Sequence, residues 1–325
     1  FSDDIIHSLG SSLLYVRFLI FSIFIIFLME SYSKLLVPLL FLSLAFTFLI
    51  VSLDGIYEYF LGNNFFKTSF NATFEGRLGG LFADEWVIGS YLVRLYPLLC
   101  YLFILFISSV PNNAKKKVII FFLILSLIVF LTIILSGERT ALVLFIVSHT
   151  LLFLRYYVHY LSKFKYLIIL LFIFLITSFS FNPKILERTF SDFNKHTSFS
   201  IDDNKYLAMT NTAFLMFLDK PFLGHGPKSF RIKCSDSKYT TGNNKFSCNT
   251  HPHSTYLQLL SETGIFGFSF IFCIFCFIAF SIFKRVILTF KNIKFLSINQ
   301  IFDPLDFLLV AIFINYLPLI PSGSF

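Results

Sequence analysis

The chain has 325 residues, of which 56% are hydrophobic and 14% are charged, and its formal net charge is +8. A soluble domain usually contains about 25% charged residues, so this composition excludes an ordinary water-soluble globular protein. A positive net charge can indicate nucleic-acid binding, but in a protein with several membrane spans it normally reflects basic cytoplasmic loops. We therefore expect the lipid bilayer, and not a nucleic acid, to be the main environment of the chain.

Apolar stretches long enough to cross a bilayer recur along the sequence. A transmembrane helix needs about 20 mainly apolar residues, and eight segments meet this requirement: residues 12–29, 35–53, 87–109, 117–135, 141–158, 166–181, 264–283 and 305–321. The sequence therefore predicts an all-α polytopic integral membrane protein. Helices 1 to 6 would occupy residues 1–181, a large loop residues 182–263, and helices 7 and 8 residues 264–325.

Basic residues are unevenly distributed over the predicted loops. The odd-numbered loops contain eleven Lys and Arg residues, whereas the second and fourth loops contain only Lys67, Arg77 and Arg139. Because basic residues concentrate in cytoplasmic loops, the second, fourth and sixth loops should lie on the extracytoplasmic side. Arg77, Arg139 and the histidines of the sixth loop would then gather at one membrane face.

Arg17 and Arg94 are the main charged residues inside predicted spans, and Arg17 lies near a span end, from which its side chain can reach the interface. Arg94 is about seven residues within the span 87–109, at a depth where a charged side chain is costly and usually paired. The sequence leaves two interpretations open, a functional charge and an interfacial or structural pair.

The long loop contains a pair of cysteines and, after them, two histidines. Residues 206–218 predict a helix that ends before a proline. Cys234 and Cys248 follow in a stretch rich in Ser, Asn, Gly and Lys, and outside the cytoplasm such cysteines commonly form a disulfide, which we predict here. The alternative is a zinc site that uses Cys248, His251 and His253, but their spacing is not a common zinc pattern. We therefore expect no metal.

The end of the long loop resembles a signature of the bacterial O-antigen ligase and O-antigen polymerase family. The signature is a His, then Asn, Ser or Gln, nine residues, a Gly, two residues, and Gly, Thr or Tyr. The chain has His253 and Ser254, nine residues, Gly264, two residues and Gly267. Three other segments resemble family motifs: residues 75–82 the Arg-x-x-Gly-x-Phe segment, 136–141 the short Ser-Arg loop, and 221–227 the Pro-x-x-Gly-x-Gly turn.

This resemblance implies a fold, a reaction and a location. The family fold is an all-helical membrane transferase of the GT-C type, placed in the bacterial inner membrane with its active face towards the periplasm. The donor would be a glycan linked to undecaprenyl diphosphate, and the acceptor a hydroxyl of the lipid A core or of a growing glycan. Family members usually have more than eight spans, so the resemblance also implies further helices outside this chain.

Two arginines of the short outer loops are candidates for binding the donor's diphosphate. A diphosphate favours planar, permanently charged donors, and arginine offers bidentate contacts that lysine does not. We therefore assign Arg77 and Arg139 to the diphosphate leaving group. The alternatives are an ion pair between Arg139 and Glu138, and an ordinary surface position for Arg77. With the resemblance, further candidates for substrate binding are His251, Glu262, Gly224 and Gly226.

His253 is the candidate catalytic residue, as the general base that takes a proton from the acceptor hydroxyl. Thr255 with Gln258 fits a capping box, so a helix should start beside His253. The positive helix end disfavours an imidazolium and keeps the ring neutral, although the same end could instead hold a phosphate. The sequence has no Asp-x-Asp nucleotide-metal motif. We therefore predict a transfer without metal or cofactor that inverts the anomeric centre, since a single displacement needs a base and no enzymic nucleophile.

Several other functions remain open at the level of the sequence. An O-antigen ligase, an O-antigen polymerase and a protein O-oligosaccharyltransferase differ only in the acceptor. A transporter or flippase of the lipid-linked glycan is the alternative from another class. It would place charged residues along a path through the middle of the membrane, whereas the charges here are predicted to gather at one face.

Overall fold

The computed structural model describes residues 5–65, 77–83, 85–156, 205–240, 246–291 and 303–318. Within these ranges all regular secondary structure is helical, as the apolar pattern predicts. The helices are α1 (Ile5–Leu61), α2 (Ile88–Ser109), α3 (Asn112–Leu135), α4 (Arg139–Tyr156), α5 (Lys205–Asp219), α6 (Phe230–Lys233), α7 (Thr255–Lys291) and α8 (Leu305–Asn315), and Gly80–Phe82 form a short 3-10 helix.

Five of the described helices, α1, α2, α3, α4 and α7, are long and apolar enough to cross a membrane. The third, fourth, fifth and seventh predicted spans fall on α2, α3, α4 and α7. The last predicted span, 305–321, corresponds to the shorter apolar helix α8. The predicted span 166–181 lies outside the described residues. The count of eight spans and the GT-C-like arrangement therefore stay predictions.

The first two predicted spans fall on α1, which consists of two helical parts that meet at a kink. Inside α1, Tyr32 has non-helical backbone angles (φ −134°, ψ 26°), but the chain is helical again at Lys34. The predicted break between the first two spans is therefore present, as a kink at Tyr32 and not as an extended loop. The part on either side of Tyr32 still exceeds the roughly 20 residues that one span needs.

The chain divides into two compact units. The first comprises residues 1–30, 190–277 and 316–325, and the second comprises residues 31–189 and 278–315. The first unit has a buried cluster that consists of Ala213, Met216, Phe230, Cys234 and Tyr239. The second unit has a buried core that includes Phe41, Phe48, Leu92, Leu99, Leu125, Ile133 and Leu144. The predicted boundaries after residues 181 and 263 separate membrane spans from the long loop. The two compact units do not test these boundaries, which stay a prediction.

Large apolar side chains cover outer faces of α1 and α7. Phe21 on α1 is 61% exposed and Phe277 on α7 is 70% exposed, and both belong to long apolar runs. A soluble monomer rarely exposes a continuous apolar surface of this kind, whereas a helix that faces lipid does so along its length. The exposed faces agree with a membrane protein.

Ion pairs join three helices of the second unit. Asp306 on α8 is 5% exposed, and its carboxylate accepts hydrogen bonds from Arg155 Nε on α4 (2.9 Å) and from Arg285 Nη1 on α7 (3.0 Å). Because the two arginines satisfy this buried charge, α4, α7 and α8 are held together at this point. Arg155 and Arg285 are two of the eleven basic residues in the odd-numbered loops, which the sequence predicts to be cytoplasmic.

Candidate functional site

Helix α7 begins two residues after His253, as the sequence predicts. The carbonyl of Ser254 accepts a hydrogen bond from the N–H of Gln258 (2.9 Å), and the Ser254 hydroxyl lies 3.5 Å from another N–H of the first turn. Ser254 is thus the N-cap. The predicted capping box assigned the N-cap to Thr255, and that assignment is wrong. The side chain of Gln258 points forward along the helix and donates to Glu262 Oε2 (3.3 Å).

His253 has an unusual backbone and close polar neighbours. Its φ of 53° lies in the left-handed region, which costs a residue with a side chain about 1–3 kcal/mol and is enriched at functional sites. Its Nε2 lies 3.2 Å from Asn249 Nδ2, which makes Nε2 the basic nitrogen when Nδ1 has the proton. The rings of His251 and Tyr206 lie 4.3 and 5.9 Å away between centroids. The structure thus brings His251 and His253 together.

A disulfide bond joins Cys234 to Cys248. Cys234 is fully buried in the core cluster of the first unit, and its partner is followed directly by Asn249, the residue beside His253. The bond therefore anchors the segment that leads to His253 onto the core. A sulfur in a disulfide is not a thiolate, so in this state Cys248 is not available as a zinc ligand.

Residues 221–227, the Gly224 turn, pack backbone to backbone against α7. The N–H of Gly226 donates to the carbonyl of Glu262 (2.8 Å). A Cβ at Gly224 (φ 64°) would collide with that same carbonyl, and a Cβ at Gly264 (φ 64°) would collide with the carbonyl of Phe222. Both glycines are required here by close approach and by a positive φ. The structure therefore gives Gly224 and Gly226 a packing role, and their predicted contact with substrate stays a prediction.

The side chain of Glu262 holds the segment that follows this turn. Glu262 is 6% exposed, and its carboxylate accepts hydrogen bonds from the backbone N–H groups of Lys228 (2.8 Å) and Phe230 (3.2 Å). These bonds compensate for the burial of the charge. Glu262 therefore positions the backbone near the motif, which the sequence did not predict; its predicted role towards substrate stays a prediction.

His225, in the same turn, is completely buried. Its Nε2 lies 3.0 Å from the carbonyl oxygen of Met216 and 3.5 Å from the hydroxyl of Tyr239. Tyr239 in turn donates to Asp219 Oδ2 (2.7 Å). The ring of His225 is therefore part of the packing between α5 and the loop after α6.

Residues 77–83, the Arg77 loop, lie in the second unit and are held by the end of α1. The fully buried carboxylate of Glu58 accepts the N–H groups of Gly80 (2.5 Å) and Gly79 (3.4 Å). The side chain of Asn64 donates to the carbonyl of Gly80 (2.7 Å). Since both the N–H and the carbonyl of Gly80 are bound, the backbone near Arg77 is held in place.

Glu138 joins the Ser-Arg loop before α4 to the start of α2. Its carboxylate accepts the N–H groups of Gly89 (2.5 Å) and Ser90 (3.1 Å) and the hydroxyl of Ser90 (2.6 Å) at the start of α2. Burial raises the pKa of the Glu138 carboxyl, and these hydrogen bonds and the charge of Arg77 counteract the rise in part. The N–H of Leu78 also donates to the carbonyl of Ser136 (3.3 Å). The structure thus brings two separate arginine motifs together.

The environment of Arg77 suits a residue that meets an anion. Its guanidinium lies 5.7 Å from the centre of the Trp86 ring. Its buried Nε has no hydrogen-bond partner among the residues that the structure describes. A buried donor without a partner is costly, and a bound phosphate oxygen would satisfy it.

Sequence reasoning missed Glu58 and Asn249, and it named Glu138 only as a possible ion-pair partner of Arg139. For Glu58 a signal existed: Asp54 and Glu58 are two acidic residues four apart at the end of a long apolar run, and such residues in a membrane helix usually have a function or a fixed partner. For Glu138 and Asn249 no local pattern reveals the partner. Their contacts depend on the folded chain.

The candidate residues are distributed over both compact units. His253, His251, Glu262 and the Gly224 turn belong to the first unit, and Arg77 and Arg139 belong to the second. Within each unit the structure brings the motifs together. The gathering of all of them at one membrane face stays a prediction.

Comparison with known proteins gives one match. Residues 120–272 match the family model described as O-antigen ligase. The matched range includes Arg139, the Gly224 turn, the disulfide and His253, and it excludes Arg77. No curated protein and no solved structure matches the chain.

Proposed function

We propose, from the match of residues 120–272 to the O-antigen ligase family model, that the chain transfers a glycan from undecaprenyl diphosphate to a sugar hydroxyl. The transfer would take place at the periplasmic face of the bacterial inner membrane, with the lipid A core as acceptor. The observation that supports this proposal best is the geometry of His253, which lies inside the matched range at the start of α7. Polysaccharide biosynthesis by a membrane transferase is the coarser function that the family implies.

His253 is proposed as the general base. Its neutral ring is favoured because the N-terminal end of α7, two residues away, disfavours a second positive charge. With the proton on Nδ1, Nε2 can accept a proton from a hydroxyl that takes the position now held by the Asn249 amide. The left-handed backbone of His253 and the disulfide before it hold the ring in one place, which is what proton transfer at hydrogen-bond distance requires.

The proposed reaction is a single displacement. The acceptor hydroxyl oxygen bonds to the anomeric carbon while His253 takes its proton, and the bond between that carbon and the diphosphate oxygen breaks. The electron pair of the broken bond stays on the diphosphate, where Arg77 and Arg139 would stabilise the growing negative charge. Attack from the side opposite the leaving group inverts the anomeric centre. No metal or cofactor takes part in this scheme.

The test is glycan transfer in membranes of a strain that lacks its own ligase. We expect the wild type to extend the lipid A core and His253→Ala to accumulate lipid-linked glycan, with a rate at least about a hundredfold lower, since a general base contributes about 10²–10⁴-fold. Ser235→Ala is the matched control, because this serine is exposed on the same loop. Formation of the Cys234–Cys248 bond in each variant, seen as a mobility difference after reduction, shows that the loop has folded.

Each other outcome has a definite meaning. If His253→Ala transfers glycan as fast as the wild type, His253 is not the base and the mechanism is wrong. If the wild type itself leaves the lipid A core unchanged but lengthens the lipid-linked glycan, the chain is a polymerase. If the wild type modifies a protein, it is a protein O-oligosaccharyltransferase. If it only moves the lipid-linked glycan across the membrane, the transferase proposal fails.

A further inference from the structure

Helix α5 has apolar side chains on two opposite sides. Its inner side packs Ala213 and Met216 into the buried cluster of the first unit. Its outer side has Phe214 and Leu218, which are both exposed. A helix that packs on a core and faces water has one apolar face, whereas a helix that is apolar all round is normally buried or in contact with lipid. The outer side of α5 therefore needs a partner other than water.

The outer apolar side continues beyond the end of α5. The N–H of Gly224 donates to the carbonyl of Lys220 (3.1 Å), which keeps the helical spacing of four residues. Residues four apart on a helix share a face, so Phe222 follows Leu218 on the outer side. Phe222 is 66% exposed. We define the α5 patch as the exposed apolar surface that consists of Phe214, Leu218, Phe222 and Leu223.

The charged residues at this end of α5 lie at the edge of the patch. The carboxylate of Asp219 accepts a hydrogen bond from the hydroxyl of Tyr239 (2.7 Å) and pairs with Lys238, so it is bound to the loop after α6. Lys220 follows Asp219 in the chain. A lysine at the border of an apolar surface can bury its stem there and keep its ammonium among lipid headgroups.

The α5 patch is continuous with the outer face of α7. The N–H of Ile265 on α7 donates to the carbonyl of Pro221 (2.8 Å), and the rings of Phe222 and Phe266 lie 6.4 Å apart between centroids. Phe266 is 64% exposed, and so is most of Phe270 one turn further along α7. Since α7 is long and apolar enough to cross a membrane, its exposed face and the patch form one surface that suits lipid.

The length of the apolar part of α7 indicates the depth of this surface. Residues 265–283 contain no charged side chain, which corresponds to about 28 Å of helix and matches a hydrocarbon core of about 30 Å. Phe266 is the second residue of this stretch, so it lies where hydrocarbon meets the headgroups. Phe222 packs beside it and lies at the same level.

We propose that the α5 patch is inserted into the interface of the lipid bilayer at the end of the membrane where α7 begins. Its partner is the bilayer itself, at the boundary between the phospholipid headgroups and the acyl chains. The inner side of α5 packs on the cluster that contains Cys234. Insertion of the patch would therefore also fix the height of the disulfide-bonded loop above the membrane.

The test is quenching of tryptophan fluorescence by brominated phospholipids, with the full chain in nanodiscs. Trp86 is the single tryptophan of the chain, so every variant also has Trp86→Phe. Phe222→Trp probes the patch, and Leu218→Trp is a second probe if the first variant does not fold. Phe277→Trp is the membrane reference, because it lies about 16 Å further along α7 than the start of the span. Ser237→Trp is the control, since this serine is exposed on the polar loop after α6.

The expected result is a difference in depth between the probes. An interfacial apolar face lies about 5–10 Å inside the boundary, so bromine near the headgroup should quench Phe222→Trp more strongly than bromine near the end of the acyl chain. The order should be reversed for Phe277→Trp, and Ser237→Trp should keep its fluorescence with both lipids. Formation of the Cys234–Cys248 bond in each variant shows that the loop has folded.

Three results would overturn the proposal. If iodide in solution quenches the patch probes and brominated lipids do not, the patch faces water. If neither reagent quenches them, protein covers the patch, either another segment of the chain or a second copy. If the patch probes show the same preference for deep bromine as Phe277→Trp, the patch lies inside the hydrocarbon and not at the interface. None of these measurements uses a glycan, so the result is independent of the proposed transferase activity.

Discussion

The role of Glu262 can be tested by removing its carboxylate. In the structure this buried group accepts the N–H groups of Lys228 and Phe230, at 2.8 and 3.2 Å. Lys228 has a left-handed backbone (φ 59°), which is unfavourable for a residue with a side chain. We therefore expect Glu262→Ala to release the segment after the Gly224 turn.

The expected size of the effect follows from the bonds that are lost. A buried N–H left without a partner costs about 1–3 kcal/mol, so two of them cost about 2–6 kcal/mol. The free energy of local opening of the segment should fall by this amount. Since 1.4 kcal/mol is a factor of ten, the open population should rise at least about 25-fold.

Limited trypsin digestion measures this opening, because Lys228 and Arg231 are cleavage sites within the segment. When opening is fast compared with cleavage, the cleavage rate follows the open population. Thr263→Ala is the control, since its hydroxyl donates to the carbonyl of Leu259 one turn earlier in the same helix (2.8 Å). Only Glu262→Ala should accelerate cleavage.

Two results would refute this reasoning. A cleavage rate within about twofold of the wild type would mean that the carboxylate does not hold the segment. If glycan transfer were lost while cleavage stayed unchanged, Glu262 would act on the substrate, as the sequence predicts, and not on the backbone.

Two further predictions concern the same long loop. The Cys234–Cys248 bond closes a loop of about 15 residues and should contribute about 3 kcal/mol, so Cys234→Ser should accelerate proteolysis of the loop, and reduction should do the same in the wild type only. Hydrogen bonds from Lys238 and Tyr239 hold the pKa of Asp219 below its ordinary value of 3.8. A lowered carboxyl pKa stabilises the fold above the unfolded-state value and loses this effect as the pH falls through the folded-state value. The thermal stability of the wild type should therefore exceed that of Asp219→Asn at about pH 6 and approach it below about pH 4; equal stability at both values would contradict this prediction.

Much of the class and part of the site could be predicted from local patterns. The membrane class and the helices α2, α3, α4 and α7 follow from apolar runs, because the length of a span depends only on the residues within it. The start of α7 beside His253 follows from capping chemistry, although the capping residue is Ser254. The break predicted between the first two spans is present as a kink at Tyr32.

The sequence alone determined that this is a helical membrane protein whose residues 120–272 match the O-antigen ligase family model, with its His motif at the start of a helix. Tertiary structure decided which groups hold that motif and its arginines. Glu138 meets Gly89 across 49 residues, and Glu262 meets Phe230 across 32. The reason is physical: apolar length and helix caps are local properties, whereas a buried carboxylate takes whichever backbone N–H groups the folded chain brings within about 3 Å.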